Sequence, residues 1–378
     1  MAFTPSAIVY TPVTLTAPTF DWVSIPFVLV DPRPPAYITG RRLEGWQLDA
    51  ITPGGDILAT LPMIKGSGQH DWQLDRLNPL GLSCVIADRM PDGSPLPDLR
   101  GLWLRATHRI NGTTYLLATV VVAAAPRSFG ATSSTLKLSG IDPTVLLSRA
   151  RLRKSLTLPV ATPVAETVRD LIAIYAPTVR ASIGDTDETL RTNLTFEAGT
   201  TILEIINTLL DAVAYNRLAP RTDGLLVASR WVPQSERAAV LTFDDATGAP
   251  YLPDVEMDDD YLSAPNEVLA IGQGGQDMPA VVGRWPDAPP LSPITEVIQT
   301  DATSIEAARM LARKYYDTAQ ATARSASFTG QWQPIEPGQI AGFTYGRHNV
   351  AGKQFELTAL RSQWSTGPNT TYSLQEAS

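Results

Sequence analysis

Apolar and polar residues alternate along much of this chain, and in three places the pattern switches to a helical period. Ile202, Ile205, Ile206, Leu209 and Val213 recur at i, i+3, i+4, i+7 and i+11, which is one face of an α-helix about three turns long. Thr201 and Glu204 stand before it as a capping box that satisfies orphan N–H groups at the helix start. A strand is expected at 194–196, and two short segments, 216–221 and 225–231, follow across Thr222-Asp223-Gly224. Asp-Gly at that point predicts a hairpin, because glycine supplies the positive φ that the turn requires. A second helical face is Val164, Val168, Leu171, Ile172 and Tyr175, with Thr162 as cap, Pro163 at the first helical position and Ala176-Pro177 as the stop. A third is Ile305, Ala308, Ala312, Tyr315 and Tyr316 behind a second box, Thr303 and Glu306.

The remainder reads as strands. Before residue 150 they are expected at 41–51, 55–61, 69–74, 82–88, 99–110, 113–124 and 134–140. The run 20–30 contains Pro26 and suits an edge strand or two short strands, ahead of a Pro-rich loop at 31–35. Asn111-Gly112 is the strongest hairpin signal in the chain. So many strands with turns between them suggest a barrel or a sandwich. After residue 235 the alternation returns at 254–262, 265–272, 328–332, 339–344, 355–359 and 372–374. Residues 276–295 are Pro-rich, lack periodicity and read as a loop. The expected architecture is mainly β with α+β. It comprises a β region at 1–150, a small α+β domain of helix, helix and hairpin at 151–235, and a second β region at 236–378 with a helix near 303–318.

The length of 378 residues points to two or three domains. A charged fraction of 18%, with 31 prolines and 26 glycines, fits a strand-rich protein with long loops. The net charge of −8 argues against a phosphate-binding surface spread over the whole chain. Cys84 is the only cysteine, so an intramolecular disulfide and a multi-cysteine zinc site are excluded; between Leu82 and Val85 it reads as a small buried residue. The N-terminus lacks the basic and apolar regions of a signal peptide. The longest apolar run, 115–125, is too short to span a bilayer.

Candidate chemistry is sparse. His70, His108 and His348 do not stand at metal-ligand spacing. His70-Asp71 near Ser67 lacks the Gly-x-Ser-x-Gly elbow and reads as a turn before a strand. Gly272-x-Gly274-Gly275 leads into a loop rather than a helix, so it cannot set a phosphate on a helix N-terminus. Asp258-Asp259-Asp260 lacks EF-hand spacing and reads as a solvated or lumen-facing acidic edge. Arg149, Arg151, Arg153 and Lys154 form the one basic run. It reads as an exposed strand or a linker, or as an inter-subunit contact with acidic residues of a neighbour. No interleaved aromatic platform supports nucleic-acid binding there.

Phe196-x-x-Gly199-Thr200-Thr201, Leu203-Glu204-x-Ile206-x-x-Leu209-Leu210, Ala214-Tyr215 and Asp223-Gly224, in that order, resemble the central segment of the tail hub proteins of tailed bacteriophages. These are baseplate hub or minor tail proteins. Leu136-x-Leu138-x-Gly140-x-Asp142-x-x-x-Leu146-Leu147 is similar to the exit from their first barrel. Pro265-Asn266-x-Val268-x-x-x-Gly272 is similar to a later strand, and Trp332, Pro334 and Pro337-Gly338-Gln339-Ile340 to their closing barrel. The resemblance runs over nearly the whole chain.

It implies two tail-tube-like β-barrel domains with the small α+β domain between them in sequence. It also implies a homotrimer that closes or extends the tail tube at the virion's tail tip and leaves a channel for DNA. Such a protein is structural, not an enzyme, needs no cofactor or metal, has no membrane anchor and is made in the host cytoplasm. Its partners would be a distal tail or tail-tube protein, a tape-measure protein, and tail fibre or tip proteins, with DNA only in transit. Because the chain ends soon after the second barrel, no appended cell-wall-cleaving or receptor-binding domain is expected.

A DNA passage should not be basic, since phosphates would bind its wall. At least part of the acidic group Asp244, Asp245, Glu256, Asp258, Asp259 and Asp260 is therefore expected to face the lumen. Two alternatives are a distal tail protein or other tip adaptor, and a carbohydrate-active or peptidase module. The first would lack a second barrel after the central unit, and the second would need a convergent pocket with a perturbed acid or nucleophile.

Overall fold

The computed structural model describes residues 38, 40–130, 134–245, 251–259, 264–272, 281–288, 291–346 and 350–377. The expected strand at 20–30 lies outside them. In chain order the first region contains β1 (Glu44–Ile51), β2 (Ile57–Thr60), β3 (Gln69–Gln73), β4 (Leu80–Ala87), β5 (Trp103–Ile110), β6 (Thr113–Ala124), β7 (Arg127–Phe129), β8 (Ser134–Ile141) and α1 (Thr144–Arg149). The middle contains β9 (Leu156–Leu158), α2 (Val164–Tyr175), β10 (Ala181–Ile183), β11 (Leu194–Phe196), α3 (Ile202–Ala212), β12 (Ala219–Pro220) and β13 (Leu226–Ala228). The last region contains β14 (Ala239–Asp244), β15 (Tyr251–Asp259), β16 (Glu267–Gly272), β17 (Val281–Trp285) and β18 (Thr295–Thr300). It continues with α4 (Ile305–Thr322), β19 (Arg324–Gly330), β20 (Ile340–Tyr345), β21 (Val350–Gln363) and β22 (Thr370–Glu376).

The protein is mainly antiparallel β. One large sheet runs β15-β19-β22-β21-β3-β4-β8-β6-β5-β1-β2, with β20 also on β21, β14 on β20 and β7 on β8. Alternation builds it: Leu80, Leu82, Cys84 and Ile86 of β4 all point inward while the residues between them are only half-buried. Asn111 and Gly112 both take positive φ, at 49° and 89°, so β5 and β6 close through the two-residue turn that matches strand twist. β21 is 14 residues long, and a register shift between Leu357 and Ala359 divides it. Its first half pairs with β20, and residues 359–363 pair with β3 of the first region. Among the described residues the smaller sheets are β10-β13-β12, β11-β9 and β17-β16-β18.

Between these layers lie four cores among the described residues. The first region encloses Leu48, Leu80, Ile86, Leu104 and Leu138, and it receives Trp332 and Trp364 from the last region. The middle region packs α2 against α3 and takes in Ile51 and Trp103 from the ends of β1 and β5. The last region has an aromatic core of Phe243, Phe328, Phe343 and Tyr372, and a separate one where α4 covers β16–β18.

The expected α3 forms. The Thr201 hydroxyl accepts from the Glu204 N–H at 3.2 Å, and Ile202, Ile205, Ile206, Leu209 and Val213 are all buried. The Asp223-Gly224 turn forms too, with Gly224 at φ 77° packed close to Trp103 and Thr119.

Other expectations need correction. α2 starts at Val164, so Pro163 is the cap position, and the Thr162 hydroxyl donates to the Pro159 carbonyl instead of capping. Ser304 rather than Thr303 caps α4, accepting from the Ala307 N–H at 3.0 Å, while Thr303 is drawn to Glu188 and the Ala212 carbonyl. The buried face of α4 is Ala307, Ala308, Leu311 and Ala312; Ile305 is 68% exposed and Tyr315 40%. Within 276–295, residues 281–285 form β17 rather than loop, because Val281 is buried and the bare Gly283 lets the α4 backbone approach. α1, β9, β10, β14 and β18 are also additions to the sequence expectation.

Candidate functional site

The residues that suggested catalysis are occupied structurally. The Ser67 hydroxyl donates to the Ile64 carbonyl at 2.7 Å and accepts from the Val85 N–H at 3.0 Å. The His70 Nδ1 accepts from the Trp364 indole at 3.0 Å, and burial pushes the imidazole down to about 4. Asp71 receives Arg76 at 2.8 Å. Burial pushes the Cys84 thiol up to about 12, so it stays unreactive. Among the described residues no group of three His, Cys, Asp or Glu side chains is placed to hold a metal ion.

Asp142, which the sequence motif contained without a role, is fully buried. Its carboxylate accepts from the Leu80 N–H at 3.0 Å, the Thr144 N–H at 2.9 Å and the Thr144 hydroxyl, so it ties β4 to the start of α1. Desolvation raises its pKa, and those hydrogen bonds oppose the rise.

The acidic group is split between strands. Asp244 and Asp245 are half-buried at the end of β14, and the Gly346 N–H donates to Asp245 at 2.9 Å. Glu256 and Asp258 are exposed on β15, opposite Ser327 and Ser325 of β19. That sheet face continues with Ser373 and Gln375 of β22, so it is hydroxyl-rich and negative, while Phe328 and Tyr372 fill the opposite face. Asp259 lies on the same strand, and Asp260 falls outside the described residues.

In the basic run, Arg149, Arg151, Arg153 and Lys154 are all exposed, and Leu152 between them is buried. Arg149 ends α1, where a cation favours the helix dipole, and Arg151 donates to the Gly199 carbonyl at 2.7 Å.

A cleft of about 410 Å³ lies along α4, lined by Trp285 of β17, Arg313, Tyr316 and Asp317 of α4, Arg324 of β19 and Glu376 of β22. The Arg313 guanidinium sits 4.6 Å from the Trp285 ring centre and 3.2 Å from Glu236. Burial pushes Asp317 up to about 6; Arg313 pulls it down and Glu236 pushes it further up. A carboxyl raised in the fold disfavours its own ionisation, so its contribution to stability is lost as pH rises from about 4 through about 6. Asp317→Asn removes that titration. The melting-temperature difference, variant minus wild type, should therefore be larger at pH 7.5 than at pH 4.5. An equal difference at both would show that the carboxyl is not held protonated.

No helix among the described residues is long and apolar enough to cross a membrane. No protein-family model and no curated protein matches the chain. Solved structures do. A tail protein from Neisseria meningitidis MC58 aligns over 88% of this chain and 97% of its own, with a TM-score of 0.63 and 16% identity. The 43 kDa tail protein of prophage MuSo2 from Shewanella oneidensis aligns over 88% and 98%, with a TM-score of 0.59 and 13% identity. A prophage tail protein from Listeria monocytogenes EGD-e aligns over 87% and 94%, with a TM-score of 0.53 and 14% identity. The chain has the fold of these phage tail proteins, and the resemblance drawn from its sequence agrees with them at that level.

Proposed function

We propose that this protein is a structural component of a phage tail tip, a trimeric hub that closes or extends the tail tube and leaves a passage for DNA. The observation that carries the reading is the large sheet, which continues from the first β region into the last through β3 and β21. Two β regions fused edge to edge suit a chain that supplies two tube-like barrels to one ring, 1–150 and 236–378, with 151–235 as the domain between them. Three copies would then match a sixfold tube. Neighbours in the tail are a distal tail or tail-tube protein, the tape-measure protein, and fibre or tip proteins.

The face carrying Glu256, Asp258, Ser325, Ser327 and Ser373 is the one we assign to the passage. Carboxylates with no cation among them repel a duplex's phosphates, and beyond about 8 Å salt screens the repulsion among copies. The exposed run of Arg149, Arg151, Arg153 and Lys154 is assigned to contact with acidic residues of a neighbouring subunit. Electron microscopy of virions with an antibody against the chain tests the location. Label at the end of the tail away from the head is expected; label along the tube, or none on the particle, would overturn the reading.

A further inference from the structure

Among the described residues, one ladder joins the first and last β regions, β3 with β21. Beside it two tryptophans of the last region enter the first region's core, and each meets a buried histidine. The Trp364 indole N–H donates to His70 Nδ1 at 3.0 Å, and the Trp364 backbone N–H donates to the Gly68 carbonyl at 2.7 Å. A Cβ on Gly68 would lie 2.0 Å from the Trp364 ring, so the indole is held flat against bare backbone. Trp332 meets the His108 ring edge-on at 5.2 Å, while Trp46 stacks on that ring at 4.6 Å. Arg42 donates to the Trp332 carbonyl at 2.6 Å. His70 is 3% exposed and His108 1%, and neither nitrogen of His108 has a hydrogen-bond partner among the described residues.

We propose that this seam is an acid-sensitive latch, closed by Trp364 and Trp332 of one β region on two neutral histidines of the other. His70 accepts at Nδ1, so its own proton is on Nε2; a second proton would set N–H against the indole N–H and break the bond. An added proton on His108 would find no hydrogen-bond acceptor among the described residues, the nearest carboxylate being Glu44 at 3.8 Å.

The surrounding titratable and charged groups do not cancel this. Around His70 the titratable neighbour is His108, while β4 sets the apolar Leu82 opposite it. Around His108 the groups are Arg42, Glu44, Tyr115 and His70. Glu44, 3.8 Å from His108, favours the charged ring, and Arg42, 3.7 Å from Glu44, opposes it. Burial holds His70 down to about 4, and burial with Arg42 holds His108 down to about 3. A histidine freed by opening returns to its ordinary value near 6.5, so the open form takes up protons that the closed form refuses. The sign follows: the depressed values favour closure above about pH 6.5, and closure weakens as pH falls. From pH 6.5 to 5.0 the opening equilibrium should rise roughly fifteenfold if one histidine is freed and roughly two-hundredfold if both are.

Hydrogen exchange of the full chain at pH 6.5, 5.75 and 5.0, corrected for intrinsic rates, tests this. Protection of β3 and of residues 359–364 should fall by that factor while β5 and β6 keep theirs. In His70→Gln the amide oxygen can accept the indole N–H without titrating, and the slope should drop by one proton. Seam protection that does not change with pH, or that falls in step with β5 and β6, would overturn the proposal. So would an unchanged slope in His70→Gln. If that variant does not fold, the wild-type slope measured against β5 and β6 still decides.

Discussion

Replacing Ile206 with alanine should cost the protein ~2–5 kcal/mol of unfolding free energy, the range for truncating a fully buried aliphatic side chain. Ile206 has no exposed surface and sits on the α3 face that meets α2. Its neighbours are themselves held: α3 is capped at Thr201, and Val164, Val168 and Ile172 of α2 are also buried. The cavity therefore cannot close cheaply. The same core includes Ile51 and Trp103 of the first β region, so the loss should appear in the main unfolding transition, not as a separate early one. Chemical denaturation of Ile206→Ala beside Ile174→Ala measures it. Ile174 lies half exposed on α2 and should change stability little. Equal midpoints for the two variants would mean that α3 does not bury this face.

Gly283→Ala should be comparably severe, by the opposite mechanism. A Cβ at 283 would stand 2.2 Å from the Ala308 carbonyl carbon and the Arg309 nitrogen, and 2.4 Å from the Ala308 oxygen. These are backbone atoms inside α4, so no side-chain rotation relieves the overlap. Either α4 lifts from β16–β18 or β17 leaves the sheet. Overpacked cores typically lose about 1–3 kcal/mol, and a clash with helix backbone belongs at roughly 3 kcal/mol or above. Trp285, two residues on in β17 and stacked under Arg313, should report the movement through its fluorescence. An unchanged melting temperature with an unchanged Trp285 signal would rule out close packing of α4 on Gly283.

What the sequence made legible was local. The strand at 113–124 and the turns at Asn111-Gly112 and Asp223-Gly224 depend on neighbouring residues, and so does the capped face of α3. What it hid depends on distant partners. β14 and β18 are short strands in parallel ladders with β20 and β16, and such pairing has no hairpin signature. β17 is five residues among prolines, made a strand by β16 and by α4 above it. The face of α4 misled because its contacts are made largely by alanines, while the larger Ile305 is exposed and Tyr315 lies partly exposed with its hydroxyl on Glu296. Trp332 and Trp364 read as residues of the last region, yet the first region's core holds both. The acidic group divides between strands: Asp244 stands on β14 beside β20, while Glu256 and Asp258 share one exposed face of β15 beside β19.

The most direct test of the hub account is a density map of the purified assembly viewed along its axis. The account predicts three copies per ring, with Glu256 and Asp258 of each turned to the bore. Six single copies around the axis would contradict it, as would a bore lined by Arg149, Arg151 and Arg153 with both carboxylates on the outer surface.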